Sequence, residues 1–214
     1  MVEYFIDSSN IDEIKKWGFL VTGCTTNPKI LSSDRVDDIE SRIKQITEII
    51  KGPISVEIFS ETYDEMLFEA MKYAFWHKNI VIKVPVLNYD SLKLIRKLEE
   101  KNIHVNATAC ISLNQVILAA MAGASYISIF YGRAGDEGNN PEEIIKESVK
   151  ILNGKSKIIV GSIRSVLDVN RSVMSGADII TITPQIMEKL VHNAKTVETI
   201  NEFNESYKNF IKEK

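Results

Sequence analysis

A lysine set in the middle of a strand-like apolar run carries more chemical meaning than any other residue of this sequence. Lys83 lies in IVIKVPV, where Ile80, Val81, Ile82, Val84 and Val86 make both faces of the run apolar. An amine held out of water loses part of its preference for the charged form, and a neutral amine attacks a carbonyl to give a carbinolamine and then an imine. Two acids stand in comparable places: Asp7 ends YFID, and Glu57 sits inside ISVEIF. A carboxylate within an apolar strand costs on the order of several kcal/mol unless it is paired or hydrogen-bonded. Imine formation and carbon-carbon cleavage both require proton transfers, so Asp7, Glu57 and Lys83 form a set able to do that chemistry. The competing reading makes Lys83 a structural lysine paired with Asp7 or Glu57, and Asp7 a helix N-cap for residues 8–17.

Other apolar runs also end in polar residues. Thr25, Thr26 and Asn27 close VTGCTTN, Asn106 and Thr108 stand in HVNATA, Ser128 and Arg133 in YISIFYGR, and Ser162 and Arg164 in IIVGSIR. Arg133 and Arg164 read as a phosphate clamp, because a guanidinium grips phosphate with two parallel hydrogen bonds. A surface salt bridge to the acidic segment 136–143 is an even alternative for either arginine taken singly. Gly132, Gly135 and Gly138 give that segment freedom to close over a ligand. His77, His104 and His192 are scattered without ligand spacing, which predicts no metal site. Cys24 and Cys110 read as small core residues, and Tyr73, Phe75 and Trp76 as a helix face buried on the body or at a subunit contact.

These residues need a scaffold that brings strand ends together. Apolar runs at 3–6, 20–24, 54–59, 80–86, 103–108, 126–131, 157–161 and 178–182 alternate with segments of helical periodicity. Eight such strands, apolar on both faces, predict a single-domain (β/α)8 TIM barrel over residues 1–214, whose active face is the C-terminal end of the strands. A doubly wound open sheet is the structural alternative, since the same alternation builds both. Residues 185–192 read as one more helix and 195–214 as an additional C-terminal helix that packs on the barrel or reaches a neighbouring subunit.

Composition narrows the function further. The 214 residues are 44% apolar, and 26 basic against 29 acidic residues leave a formal charge of −3, with no basic cluster to suit nucleic acid. No Gly-rich phosphate loop is visible, which argues against nucleotide binding. The longest apolar stretch, 116–124, is far short of a membrane span, and the start lacks a basic segment followed by an apolar one. The expectation is a soluble, cytoplasmic protein with no membrane partner.

With FIDSSNIDEI, GCTTNPKIL, VIKVPV, SIFYGR and GSIR spread over essentially the whole chain, the sequence resembles the short-form transaldolases and their relatives, the fructose-6-phosphate aldolases. The resemblance implies that Lys83 forms the Schiff base with a ketose phosphate and that Asp7 is the acid/base of cleavage. It implies that Glu57 and Thr108 act through a water, and that Asn27, Asn106, Thr26 and Ser128 contact the sugar. Arg133 and Arg164, with Ser162 alongside, would hold its phosphate. Transaldolases carry glutamate on strand three and phenylalanine on strand six where the aldolases typically show glutamine and tyrosine, and this chain has Glu57 and Phe130. That implies transfer of a dihydroxyacetone unit between sugar phosphates, in the pentose phosphate pathway, with no cofactor. An aldolase that releases dihydroxyacetone, or a barrel that only binds sugar phosphates, are the alternatives. The resemblance also implies a homo-oligomer, a pentamer or decamer.

Overall fold

The computed structural model describes residues 1–212, so the last two residues of the expected C-terminal helix lie outside the described residues. Eight parallel strands close into a barrel in sequence order: β1 (Glu3–Asp7), β2 (Gly23–Thr25), β3 (Ile54–Glu57), β4 (Ile80–Pro85), β5 (Val105–Cys110), β6 (Tyr126–Phe130), β7 (Lys157–Gly161) and β8 (Ile179–Ile182). β8 pairs with β1, so the sheet is closed and the open-sheet alternative falls away. The helices are α1 (Ile11–Trp17), α2 (Pro28–Ser33), α3 (Ile39–Ile49), α4 (Tyr63–Ala74), α5 (Tyr89–Glu99), α6 (Leu113–Ala122), α7 (Tyr131–Asp136), α8 (Pro141–Leu152), α9 (Val166–Met174), α10 (Pro184–Val191) and α11 (Ala194–Lys212).

Local chemistry sets the boundaries. Asn10 accepts the amides of Asp12 and Glu13 and starts α1, so Asp7 is not its cap. Ser165 and Asp168 form a reciprocal capping box at α9, and Gly123, at φ 98°, ends α6 in the left-handed conformation that suits glycine. β2 begins at Gly23, later than the apolar run, because Leu20 is still folded back onto Trp17 by a turn hydrogen bond. β3 stops at Glu57 because the next amides but one, those of Phe59 and Ser60, donate to the Glu69 carboxylate. The glycine-containing segment after β6 is helical where the sequence suggested a free loop, since β6 runs directly into α7.

The core has two layers, as strand alternation in a barrel requires. Outward-facing Ile6, Val56, Ile82, Val84, Val105, Ile127, Val160 and Ile180 pack with the helices in one continuous cluster. Each fully buried isoleucine or valine there contributes about 1.5–3 kcal/mol of transfer free energy. Inside the barrel the apolar filling is a separate small cluster of Phe5, Ile159 and Ile179, with Tyr126 against it. Gly23 is required beside it, because a Cβ there would lie 2.5 Å from the Phe5 ring. Farther along the strands the inward positions turn polar. Register then places Glu57 beside Lys83, Lys83 beside Asn106, and Asp7 beside Thr25. Of the aromatic trio on α4 and just after it, Tyr73 is buried and stacks on Trp76 at 4.3 Å, while Phe75 is exposed. No helix among the described residues is long and apolar enough to cross a membrane.

Candidate active site

At the C-terminal ends of the strands a cavity of about 300 Å³ opens over Lys83. Lys83 is only 4% exposed, and its Nζ lies 3.0 Å from Glu57 Oε2 and donates to the Thr26 carbonyl at 3.1 Å. Thr26 is itself fixed, since its hydroxyl donates to the Ser55 carbonyl at 3.0 Å. The amine is therefore held by one charged and one neutral acceptor.

Asp7 lines the same cavity. Thr25 Oγ1 donates to Asp7 Oδ1 at 2.6 Å, and Thr25 Oγ1 lies 2.5 Å from Thr181 Oγ1. Burial pushes the Asp7 carboxyl above the ordinary aspartate range; Lys83 and the Thr25 hydrogen bond act against this, and the Glu57 charge adds to it. A carboxyl tuned upward takes and returns a proton nearer neutral pH, which is what acid/base work requires. On the opposite wall Ser128 Oγ donates to Asn106 Oδ1 at 2.7 Å and Asn106 Nδ2 donates to Ser55 Oγ at 3.1 Å. Thr108 Oγ1 is fully buried and has no hydrogen-bond partner among the described residues, so its capacity is free for a water or a sugar oxygen. Asn27 accepts the Ile30 amide at 3.0 Å as the cap of α2 and also lines the cavity.

The arginines divide between two chambers. Arg133 lines the cavity over Lys83 and a neighbouring one of about 560 Å³, with its guanidinium 5.5 Å from the Phe130 ring. Arg164 faces only the neighbouring chamber and grips Asp136 with two hydrogen bonds, 2.7 and 2.5 Å. Here the salt-bridge alternative describes the resting arrangement. Arg164 holds the Asp136 carboxyl below its usual range, and both side chains are more than half exposed, so the pair adds little stability and is readily exchanged for another anion. Ser162 takes a left-handed backbone, φ 57°, and its carbonyl accepts the Gly132 amide at 3.1 Å. A Cβ on Gly132 would lie 2.6 Å from Arg164 Nε and 2.7 Å from the Ser162 carbonyl oxygen. Gly132→Ala is accordingly expected to displace that corner and to cost about 1–3 kcal/mol, read as a lower Tm; an unchanged Tm would show that the corner yields freely.

Of the residues expected from sequence, Asp7, Asn27, Lys83, Ser128, Phe130, Arg133 and Ser162 line one cavity. Glu57, Thr26, Asn106 and Thr108 stand behind that surface, tied to Lys83 or to its strand neighbours. Arg164 is next door. Sequence reasoning missed Thr181 and Lys29, both of which line the cavity. Thr181 carried the signal that found the others, a polar residue late in an apolar strand. Lys29 carried none, because a lysine on a short helix is ordinarily a solvated one. Among the described residues no group of three His, Cys, Asp or Glu is placed to hold a metal ion. Both thiols are buried, and burial pushes Cys110 up to about 12.

The closed (β/α)8 barrel gathers an amine and two carboxylates at the C-terminal mouth, the face where barrel enzymes carry their active sites. The family described as Transaldolase/Fructose-6-phosphate aldolase matches residues 4–214, and the chain belongs to that family. A protein of Clostridioides difficile named "Probable transaldolase" is 39% identical over 207 residues, covering 94% of this chain and 95% of its own length. One of Petrotoga mobilis with the same name is 37% identical over 215 residues, covering 98% and 96%. Among solved structures, a thiamine phosphate pyrophosphorylase from Pyrococcus furiosus superimposes with a TM-score of 0.60 at 14% identity over 84% of each chain, a likeness of fold alone.

Proposed function

We propose that this enzyme transfers a dihydroxyacetone unit from a ketose phosphate, fructose 6-phosphate or sedoheptulose 7-phosphate, to an aldose phosphate, erythrose 4-phosphate or glyceraldehyde 3-phosphate. The observation that carries this reading is the buried Lys83, 3.0 Å from Glu57, opening on the cavity that Asp7 also lines. Lys83 attacks the ketose carbonyl and water leaves as the imine forms, with Glu57 and Thr108 moving protons through a bound water. Asp7 takes the proton of the C4 hydroxyl, and the C3–C4 bond breaks. Its electron pair passes into the protonated imine to give an enamine, and the aldose phosphate departs. The enamine then adds to the acceptor aldehyde, Asp7 returns the proton, and hydrolysis frees Lys83. The protonated imine is its own electron sink, so the cycle needs no cofactor. Ser128, Asn106 and Asn27 hold the three-carbon unit; Arg133, Ser162 and an Arg164 released from Asp136 take the phosphate.

Release of free dihydroxyacetone is the second reading, and Glu57 and Phe130 favour transfer over it. Protein supplied with fructose 6-phosphate and erythrose 4-phosphate should form glyceraldehyde 3-phosphate and a seven-carbon ketose phosphate, with little dihydroxyacetone when the acceptor is left out. Abundant dihydroxyacetone from fructose 6-phosphate alone would assign the aldolase activity; binding without turnover would assign neither. A homo-oligomer is part of the proposal. α11 buries none of its residues and exposes Val197, Ile200, Phe203 and Tyr207 at helical spacing, a face that a second copy would cover.

A further inference from the structure

Asp7 is served by two hydroxyls, and in its ionised form, the one able to take the sugar's proton, only one assignment of protons satisfies both contacts. An ionised carboxylate accepts hydrogen bonds and donates none, so the single proton of Thr25 points at Asp7 Oδ1, 2.6 Å away. The 2.5 Å contact between Thr25 and Thr181 then has Thr181 as donor. Register explains how β8 reaches this point. Thr25 is the neighbour of Asp7 across β1 and β2, and Thr181 is the neighbour of Phe5, two residues earlier on β1 and facing the same way. Both hydroxyls are buried, and Gly161 leaves room for the Thr181 methyl, because a Cβ there would come within 3.3 Å of it.

Resting on the transfer reading, and deepening it, we propose that Thr181 and Thr25 are positioning residues for Asp7. They form a two-hydroxyl chain from β8 through β2 that occupies Oδ1 and reserves Oδ2 for the proton exchanged with the sugar. Donors in series polarise one another, so Thr181 strengthens the bond that Thr25 makes to Asp7 without touching the carboxylate. The proton taken from the substrate hydroxyl resides on Oδ2 and returns from there to the new alkoxide, because Oδ1 already faces a donor. The other titratable groups acting on Asp7 are Lys83 from β4 and Glu57 from β3. Cys24 of β2 feels the Asp7 charge, while Lys29 and Arg133 line the same cavity, and β8 and the residue after it contribute the neutral Thr181 and Thr183.

The test is a carboxyl titration of Asp7 by NMR in protein labelled at aspartate, its signal identified by its loss in Asp7→Asn, set beside the pH profile of kcat/KM. The Thr25 bond holds the Asp7 carboxyl down. Thr25→Val should therefore raise the titration midpoint, Thr181→Val should raise it by less, and Thr181→Ser should restore it. In the cleavage direction Thr181→Val should move the acid limb to higher pH and lower kcat/KM at neutral pH by about threefold to tenfold, the scale of one ordinary hydrogen bond. Thr181→Ala gives the same readout if the second methyl of valine crowds the strand. A midpoint unmoved in Thr181→Val and Thr181→Ala, or not restored by Thr181→Ser, overturns the chain of hydroxyls. Because the titration needs no turnover, a midpoint that moves in an enzyme unable to transfer dihydroxyacetone would sink the proposed reaction and leave the positioning role standing.

Discussion

Lys83→Met should lower kcat by about four orders of magnitude or more, as removal of a covalent nucleophile does, and should erase the adduct trapped by borohydride. In the parent enzyme, incubation with fructose 6-phosphate followed by reduction should leave a three-carbon modification on the peptide that carries Lys83. Among the described residues the other lysines lie outside the barrel mouth or, like Lys29, at its exposed edge, and those paired with a carboxylate, Lys16, Lys44, Lys157 and Lys195, are solvated on the outer surface. They should stay unmodified. Lys83→Met also leaves Glu57 without its cation at a site where its side chain is 16% exposed. Breaking such a pair costs about 3 kcal/mol, lowering Tm by roughly 6–12 °C. Loss of activity could then be blamed on loss of fold. The double variant Lys83→Met/Glu57→Gln separates the two, because removing both charges should recover most of the Tm and none of the turnover. Substantial activity in either variant, or an adduct on another lysine, would refute Lys83 as the nucleophile.

The legibility of this site in the sequence follows from where its residues sit. Lys83 and Glu57 were visible because a charged residue between β-branched neighbours has no solvent-exposed face to occupy, and the burial of Lys83 at 4% exposure follows from that. The eight strands were visible for the same reason, as runs apolar on both faces. What escaped was whatever depends on contacts between distant segments. The shortening of β3 is set by Glu69, ten residues beyond Phe59, through two backbone amides. The engagement of Arg164 is set by Asp136, 28 residues earlier, at a corner that only Gly132 permits. Thr181 is 156 residues from Thr25 in sequence, and only closure of the barrel between β8 and β1 brings their hydroxyls together. A polar residue late in a strand can be found by inspection; its partner across the seam of the barrel cannot.

Asp7→Asn should uncouple stability from catalysis in opposite directions. Burial and the Glu57 charge outweigh Lys83 and Thr25 at Asp7, so its carboxyl holds a proton more tightly in the folded chain than in the unfolded one. A group raised in this way favours folding fully below its unfolded pKa, and that contribution is lost as pH rises through the folded value. At any pH above its unfolded pKa the side chain is therefore carried at a net cost to the fold. Asparagine keeps the shape and an oxygen for Thr25 to donate to, and removes the charge. Tm at pH 7 should rise, with the gain shrinking as pH falls into the acid range where Asp7 is itself neutral. Catalysis should move the other way, with kcat for transfer falling about 10²–10⁴-fold, the range for loss of a general acid/base. The proposed mechanism forms the imine without Asp7, so borohydride should now trap the intact six-carbon donor on Lys83 in place of the three-carbon fragment. A three-carbon adduct formed at the parent rate would transfer the cleavage role to another group. A Tm that falls at pH 7 would show that attraction to Lys83 outweighs burial at Asp7 and lowers its pKa instead of raising it.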